Sequence, residues 1–182
     1  MLQAASYSAV ESLRNGKRVH LRALKPEDRD GFVSAAGGLT AQSLRRRFFA
    51  GKRHFTEAEQ SFFLNPDFTS HVALIAVVEE EGQPVIAGGA RYVVAAPGRA
   101  EVAFAVADRF QGQGIGAALM RHLAAIAKDA GLRELIAEVL PENIAMLKVF
   151  ERSGLPHSAK VASGAVHVTL QLILPAGQSI AG

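Results

Sequence analysis

The stretch of this chain best suited to chemistry is Gln111-Gly112-Gln113-Gly114-Ile115-Gly116, with glycine at three alternate positions. It would act through its backbone. Alternate glycines let a chain turn tightly and approach a ligand closely, and a helix starting there offers unpaired N–H groups and the positive end of its dipole. The fitting guest is a phosphate or a pyrophosphate. Spacing excludes a Walker A nucleotide site, because no lysine followed by serine or threonine ends the loop. A Rossmann fingerprint stays open, since Gly112, Gly114 and Ala117 satisfy G-x-G-x-x-[GA] and Glu138 follows at about the usual 20-residue distance. Against it, Asp108 to Gln111 separate the preceding apolar run from the first glycine, and the upstream segments read as hairpins rather than βαβ units. A glycine-rich turn that binds nothing is the third reading.

Such a loop needs a strand before it and a helix after it. Glu101 to Val106 alternates as a strand, and Gly114 to Ala130 carries apolar residues at helical spacing, Ile115, Leu119, Leu123 and Ile126. Upstream, Lys17 to Leu24 alternates as a first strand, and Lys25-Pro26-Glu27-Asp28 opens a helix that continues through Phe32 and Val33 to Gly37-Gly38. Thr40 caps a second helix bearing Arg45, Arg46, Arg47, Phe48 and Phe49, with Lys52, Arg53 and His54 behind it. That basic run reads as a solvated face, or as a docking surface for acidic groups or a nucleotide phosphate. Thr56 and Glu59 form a capping box for a third helix ending at Asn65-Pro66-Asp67.

His71 to Val78 and Pro84 to Val94 follow as strands that lead through Ala96-Pro97-Gly98-Arg99 into the central strand, an antiparallel meander. Gly88-Gly89 marks a bulge, a close backbone approach or a plain packing need. Downstream, Gly131 closes the long helix, Leu132 to Leu140 is a fifth strand, Asn143 caps a helix running to Ser153, and Ala165 to Leu174 is the last strand.

Composition bounds the rest. The chain has 182 residues, 49% of them hydrophobic, which suits one domain, expected over residues 17–174 between an extension (1–16) and a frayed tail (175–182). Twenty Lys and Arg against seventeen Asp and Glu leave a net +3, too slight to argue for nucleic acid or a membrane as partner. No cysteine is present, so disulfides, thiolate metal sites and a Cys nucleophile are out. Six histidines lie scattered without ligand spacing, and His122 reads as a surface residue; no metal is expected. With no signal peptide at the start and no apolar run near the roughly 18 residues of a spanning helix, a cytoplasmic protein is the expectation.

Gln111-x-x-Gly114-x-Gly116 resembles the [QR]-x-x-G-x-[GA] signature of the GNAT superfamily of acetyl-coenzyme A dependent N-acetyltransferases. Glu138 to Leu147 and Phe150 to Leu155 resemble the later strand and helix of that family's cofactor cleft. Leu21 to Asp28 and Leu44 to Phe49 resemble the opening of the GNAT domain in bacterial Pat-type protein lysine acetyltransferases. The resemblance implies an α/β (α+β) fold, a mixed twisted sheet of six or seven strands with helices on both faces and a split between the fourth and fifth. It implies that the pantetheine arm of acetyl-coenzyme A, the acyl donor, pairs with Phe104, Ala105 and Val106. Gln111, Gly112, Gln113, Gly114, Ile115 and Gly116 would hold the pyrophosphate, and Asn143 would touch the cofactor unless it is only a helix cap.

The implied chemistry is amine acylation. A lysine amine, with a pKa of about 10.4, costs roughly 4 to 5 kcal/mol to present unprotonated at pH 7, so a base is useful. In Pat-type enzymes a glutamate at the matching place is the proposed base, which here is Glu101. By alternation it shares a face with Ala103, Ala105 and Ala107, where burial is expected to raise its pKa; Glu138 is the reserve. Many GNAT enzymes protonate the leaving thiolate with a tyrosine, but this chain has Phe150 there, and Pat-type domains commonly lack that tyrosine too. The expected function is acetylation of a protein lysine. Acetylation of a small amine or an N-terminus, and non-catalytic acyl-coenzyme A binding, are the alternatives.

Overall fold

The patterns read along the chain take shape in a computed structural model that describes residues 2–31, 34 and 56–173. In chain order come β1 (Ser8–Ser12), β2 (Arg18–Ala23), α1 (Glu57–Leu64), β3 (His71–Glu80), β4 (Gln83–Ala96) and β5 (Arg99–Val106). They are followed by α2 (Ile115–Asp129), β6 (Glu134–Val139), α3 (Ile144–Glu151), β7 (His157–Ala162) and β8 (Ala165–Gln171). Among the described residues eight strands form one sheet in the order β1-β2-β3-β4-β5-β6-β8-β7. That is one or two more than the resemblance implies. β1 lies within the segment expected to be an extension and pairs along β2 from Ser8–Arg22 to Ser12–Arg18.

The expected meander is present, with β2, β3, β4 and β5 each antiparallel to the next. Thr56 and Glu59 exchange the predicted capping bonds, Glu59 N–H to Thr56 Oγ1 at 3.2 Å and Thr56 N–H to Glu59 Oε2 at 3.0 Å. Pro26–Asp28 is a 3-10 turn in which Asp28 accepts from both outer guanidinium nitrogens of Arg22 at 2.7 Å. Phe32, Val33 and the helix expected from Thr40 with Arg45, Arg46 and Arg47 lie outside the described residues.

Alternation along β3 separates two cores. Leu74 faces α2 and α3, in a cluster with Leu119, Leu123, Ile126, Phe150, Val102 and Leu135. Ala73 and Ile75 face the other way, packing with Leu24 and with Leu64 of α1. Fully burying one leucine is worth about 1.5–3 kcal/mol, so the α2 row is a principal clamp on the sheet.

The split is between β5 and β6, the fourth and fifth strands of the sequence expectation. These strands are parallel and pair only at Arg99–Glu134, Ala100–Leu135 and Glu101–Ile136. From Val102 onward β5 follows β4 instead, and a bulge beside Gly88-Gly89, one of the three readings of that pair, helps explain why. The β3–β4 register skips Ala87, whose carbonyl accepts from Ala107 N–H at 2.9 Å. A Cβ on Gly88 would lie 2.8 Å from Ala105 O and one on Gly89 3.2 Å from Leu74 O, so both glycines permit close strand approach. A bulge increases local twist, which turns the β4–β5 pair away from β6.

Candidate active site

The loop after β5 is built from the strand end outward. Ala107 N–H is held by Ala87, and Asp108–Phe110 forms a 3-10 turn anchored by the buried Phe110 ring. Gln111 then ties this turn to the strand: its side-chain Nε2 donates to Val106 O at 3.1 Å and to Asp108 Oδ1 at 2.9 Å. Gln113 donates from Nε2 to Arg109 O at 3.1 Å and accepts from Asn15 Nδ2 at 3.1 Å. Among the described residues, these two glutamines direct amide groups to the protein.

Gly112 (φ 75°) and Gly114 (φ 95°) occupy the left-handed region, which a side chain rarely adopts, and Gly114 is the N-cap of α2. Gly116 has no such conformation; a Cβ there would meet Val149 Cγ2 at an ordinary 3.5 Å. Two of the three glycines are thus required by the turn. The third lets α2 and α3 lie close together.

Ala118 is the first residue of α2 whose N–H reaches back, to Gly114 O at 3.0 Å. The N–H groups of Gly112 to Ala117, with Ile115 among them, have no protein acceptor among the described residues. Six donors at a helix start, with the positive dipole end behind them, form a strong anion cradle.

Phe104, Ala105 and Val106 lie on the unzipped part of β5, beyond the last β5–β6 pair. Phe104 is buried with its ring edge-on to Phe150, centroids 5.9 Å apart, so Phe150 forms an apolar floor beneath the split. Asn143 caps α3 through Oδ1, which accepts from Met146 N–H at 3.2 Å, while its Nδ2 has no acceptor among the described residues. The cap leaves the amide donor end available.

Glu101 stands at the last paired row, on the face away from α2 and α3, with half-buried Ala103 and Ala105 beyond it. The expected burial is not found: Glu101 is exposed, because neighbouring side chains on its face are too small to cover it. Glu138, on β6, lies beyond the fork on the same face as Ile136, and its Oε1 is 3.4 Å from His167 Nδ1. Neither tyrosine reaches the split. Tyr92 is buried beneath the helices, where desolvation pushes its hydroxyl pKa up, with a smaller push from Asp67.

Tyr7 pairs instead with His122, which corrects the surface reading of that histidine. Tyr7 OH bonds to His122 Nδ1, His122 Nε2 lies 2.8 Å from Glu11 Oε1, and Arg121 reaches Glu11 Oε2 at 2.6 Å. The network ties β1 to α2. No sequence pattern signals it, since its partners lie more than a hundred residues apart.

Sequence reasoning also missed a cluster on the α1 side. His71 is buried, stacked on Phe62 with centroids 4.6 Å apart and 3.3 Å from Arg91 Nη1. Burial first, and the Arg91 cation second, push its imidazole down to about 4. Arg91 donates in turn to Phe63 O at 3.3 Å. Among the described residues no group of three or more His, Asp or Glu is placed to hold a metal ion, and no helix is long and apolar enough to cross a membrane.

The profile of the acetyltransferase (GNAT) family matches residues 40–155. An acetyltransferase of Pseudomonas aeruginosa is 32% identical over 138 residues, 75% of this chain and 74% of that protein. Acetyltransferase Pat of Mycolicibacterium smegmatis is 33% identical over 144 residues, 78% of this chain but 42% of that longer protein. The crystal structure of the GNAT domain of S. lividans PAT superposes with a TM-score of 0.81 at 31% identity, covering 90% of this chain and 96% of that one. The matched segment contains both the cradle and the split, and the chain belongs to the GNAT family of acetyltransferases.

Proposed function

We propose that this acyltransferase moves the acetyl group of acetyl-coenzyme A onto a lysine side chain of a protein, with Glu101 as general base. The observation that carries the proposal is the position of Glu101: in register with Ile136 at the fork, exposed, on the face opposite α2 and α3. Likeness to Pat-type proteins favours a protein lysine over a small amine.

On this reading the pyrophosphate accepts from the N–H groups of Gly112 to Ala117, and the pantetheine arm runs along Phe104, Ala105 and Val106, with Asn143 Nδ2 as a further donor. The acceptor amine enters from the Glu101 face. Its nitrogen attacks the thioester carbonyl, Glu101 takes the amine proton directly or through one water, and the C–S bond breaks with its electron pair leaving on sulfur. A thiol pKa of about 8.5 makes that thiolate a tolerable leaving group at modest cost. Phe150 offers no proton, so solvent supplies it.

The test is a thiol-release assay with acetyl-coenzyme A and lysine-containing proteins. Glu101→Gln is expected to lower kcat by about 10²- to 10⁴-fold, the range of a positioned base. Binding of acetyl-coenzyme A without thiol release toward any amine or protein would instead make this an acyl-coenzyme A binding module. Acetyl-lysine enrichment by proteome-wide mass spectrometry decides the acceptor.

A further inference from the structure

We infer that Glu138 selects the acceptor by pairing with a basic side chain two residues from the lysine that is acetylated. The inference rests on the lysine-transfer reading above and adds the local sequence that the site prefers.

Two rows of side chains cross the face beside the fork. The first row runs Glu101, Ile136, Thr169 and Ser158; one step beyond the fork, the next runs Glu138, His167 and Lys160. No described helix packs on this half of the face, and the Glu138 side chain is 57% exposed. Glu138 and Glu101 therefore flank the mouth of the split on opposite walls.

Their spacing matches a peptide. Strands about 4.8 Å apart, with a rise of about 3.3 Å per residue, put the Glu138 Cα about 8 Å from that of Glu101. In an extended substrate, side chains two residues apart lie about 6.7 Å apart on the same face. With the acceptor amine at Glu101, the side chain two positions away falls beside Glu138.

The carboxylate there is placed to take a cation. Its Oε1 lies 3.4 Å from His167 Nδ1, while His167 Nε2 is 3.2 Å from Ala162 O. Glu138 Oε2 has no partner among the described residues, leaving one oxygen for an incoming guanidinium or ammonium. Lys160, the next residue of the row, disfavours a basic side chain placed farther out. Glu138 is thus a specificity residue, and the proton transfer remains with Glu101.

The experiment uses peptides with one acceptor lysine and either arginine or glutamate two positions before or after it. Wild-type protein should prefer one arginine peptide over its glutamate counterpart by about fivefold in kcat/KM, the scale of a partly exposed ion pair. The preference should lie in the peptide KM rather than in kcat. Glu138→Gln should bring the ratio close to one, and Glu138→Lys should invert it. Calorimetry with acetyl-coenzyme A checks that each variant is folded, and the isosteric Glu138→Gln decides the matter if the lysine variant does not fold.

A wild-type ratio near one, or a ratio that survives Glu138→Gln in an active enzyme, overturns the inference and leaves the transferase reading standing. If no peptide is acetylated while acetyl-coenzyme A still binds, the lysine-transfer reading fails and takes this inference with it.

Discussion

Gly114 and Gly116 belong to the same short signature but make different demands. Gly114 sits at φ 95°, where a Cβ costs roughly 1–2 kcal/mol, whereas Gly116 has ordinary helical backbone and space for a methyl group. Gly114→Ala is therefore expected to weaken acetyl-coenzyme A binding by about tenfold in a calorimetric titration, and Gly116→Ala by much less. Equal losses would mean that the conformation of Gly114 does not shape the cradle. The glycine pattern made the cradle legible in the sequence, because only backbone geometry was needed. Side-chain roles were less legible. Gln111 fits the signature, but its Nε2 braces Val106 O and Asp108, a use no local pattern reveals. The exposure of Glu101 was equally hidden, since alternation gives the face of a residue and not what covers it.

At the scale of elements, the entry into β3 carries a pH dependence. Asp67 accepts from the Ser70 hydroxyl and, through Oδ1, from the N–H groups of His71, Thr69 and Ser70 at 2.7–2.8 Å, and these bonds hold its carboxyl down to about 2. The His71 imidazole, pushed down to about 4, resists protonation in the folded state, whereas an unfolded histidine takes a proton near 6.5. Below pH 6.5 the unfolded chain thus binds more protons, and stability falls until about pH 4, by at most about 3 kcal/mol. Asp67 extends the loss, because its stabilisation is present above about 3.8 and disappears as pH falls through about 2. Thermal unfolding of His71→Gln should show a flatter slope between pH 6.5 and 4 than the wild type; an unchanged slope would remove His71 as its source. Legibility differed among elements for a physical reason. α2 and the meander strands announce themselves because each buries a full apolar row. All six residues of β7 are exposed and only two of the five in β1 are even half-buried, so neither strand carries a row of core residues.

For the whole molecule, the β5–β6 junction is where a continuous sheet becomes a working one. The first five strands and the last three meet through three paired rows, while α2 and α3 close over one face. That the sheet would fork was legible from the family resemblance. How short the shared ladder is required the register. The consequence reaches amide hydrogen exchange. Alternate N–H groups of β5 beyond Glu101 point toward β6 without a strand to receive them, so they should trade deuterium faster than their β4-facing neighbours. Adding acetyl-coenzyme A should slow those amides in particular, as though the thioester were a temporary ninth strand; uniform protection along β5 would argue that the arm lies elsewhere.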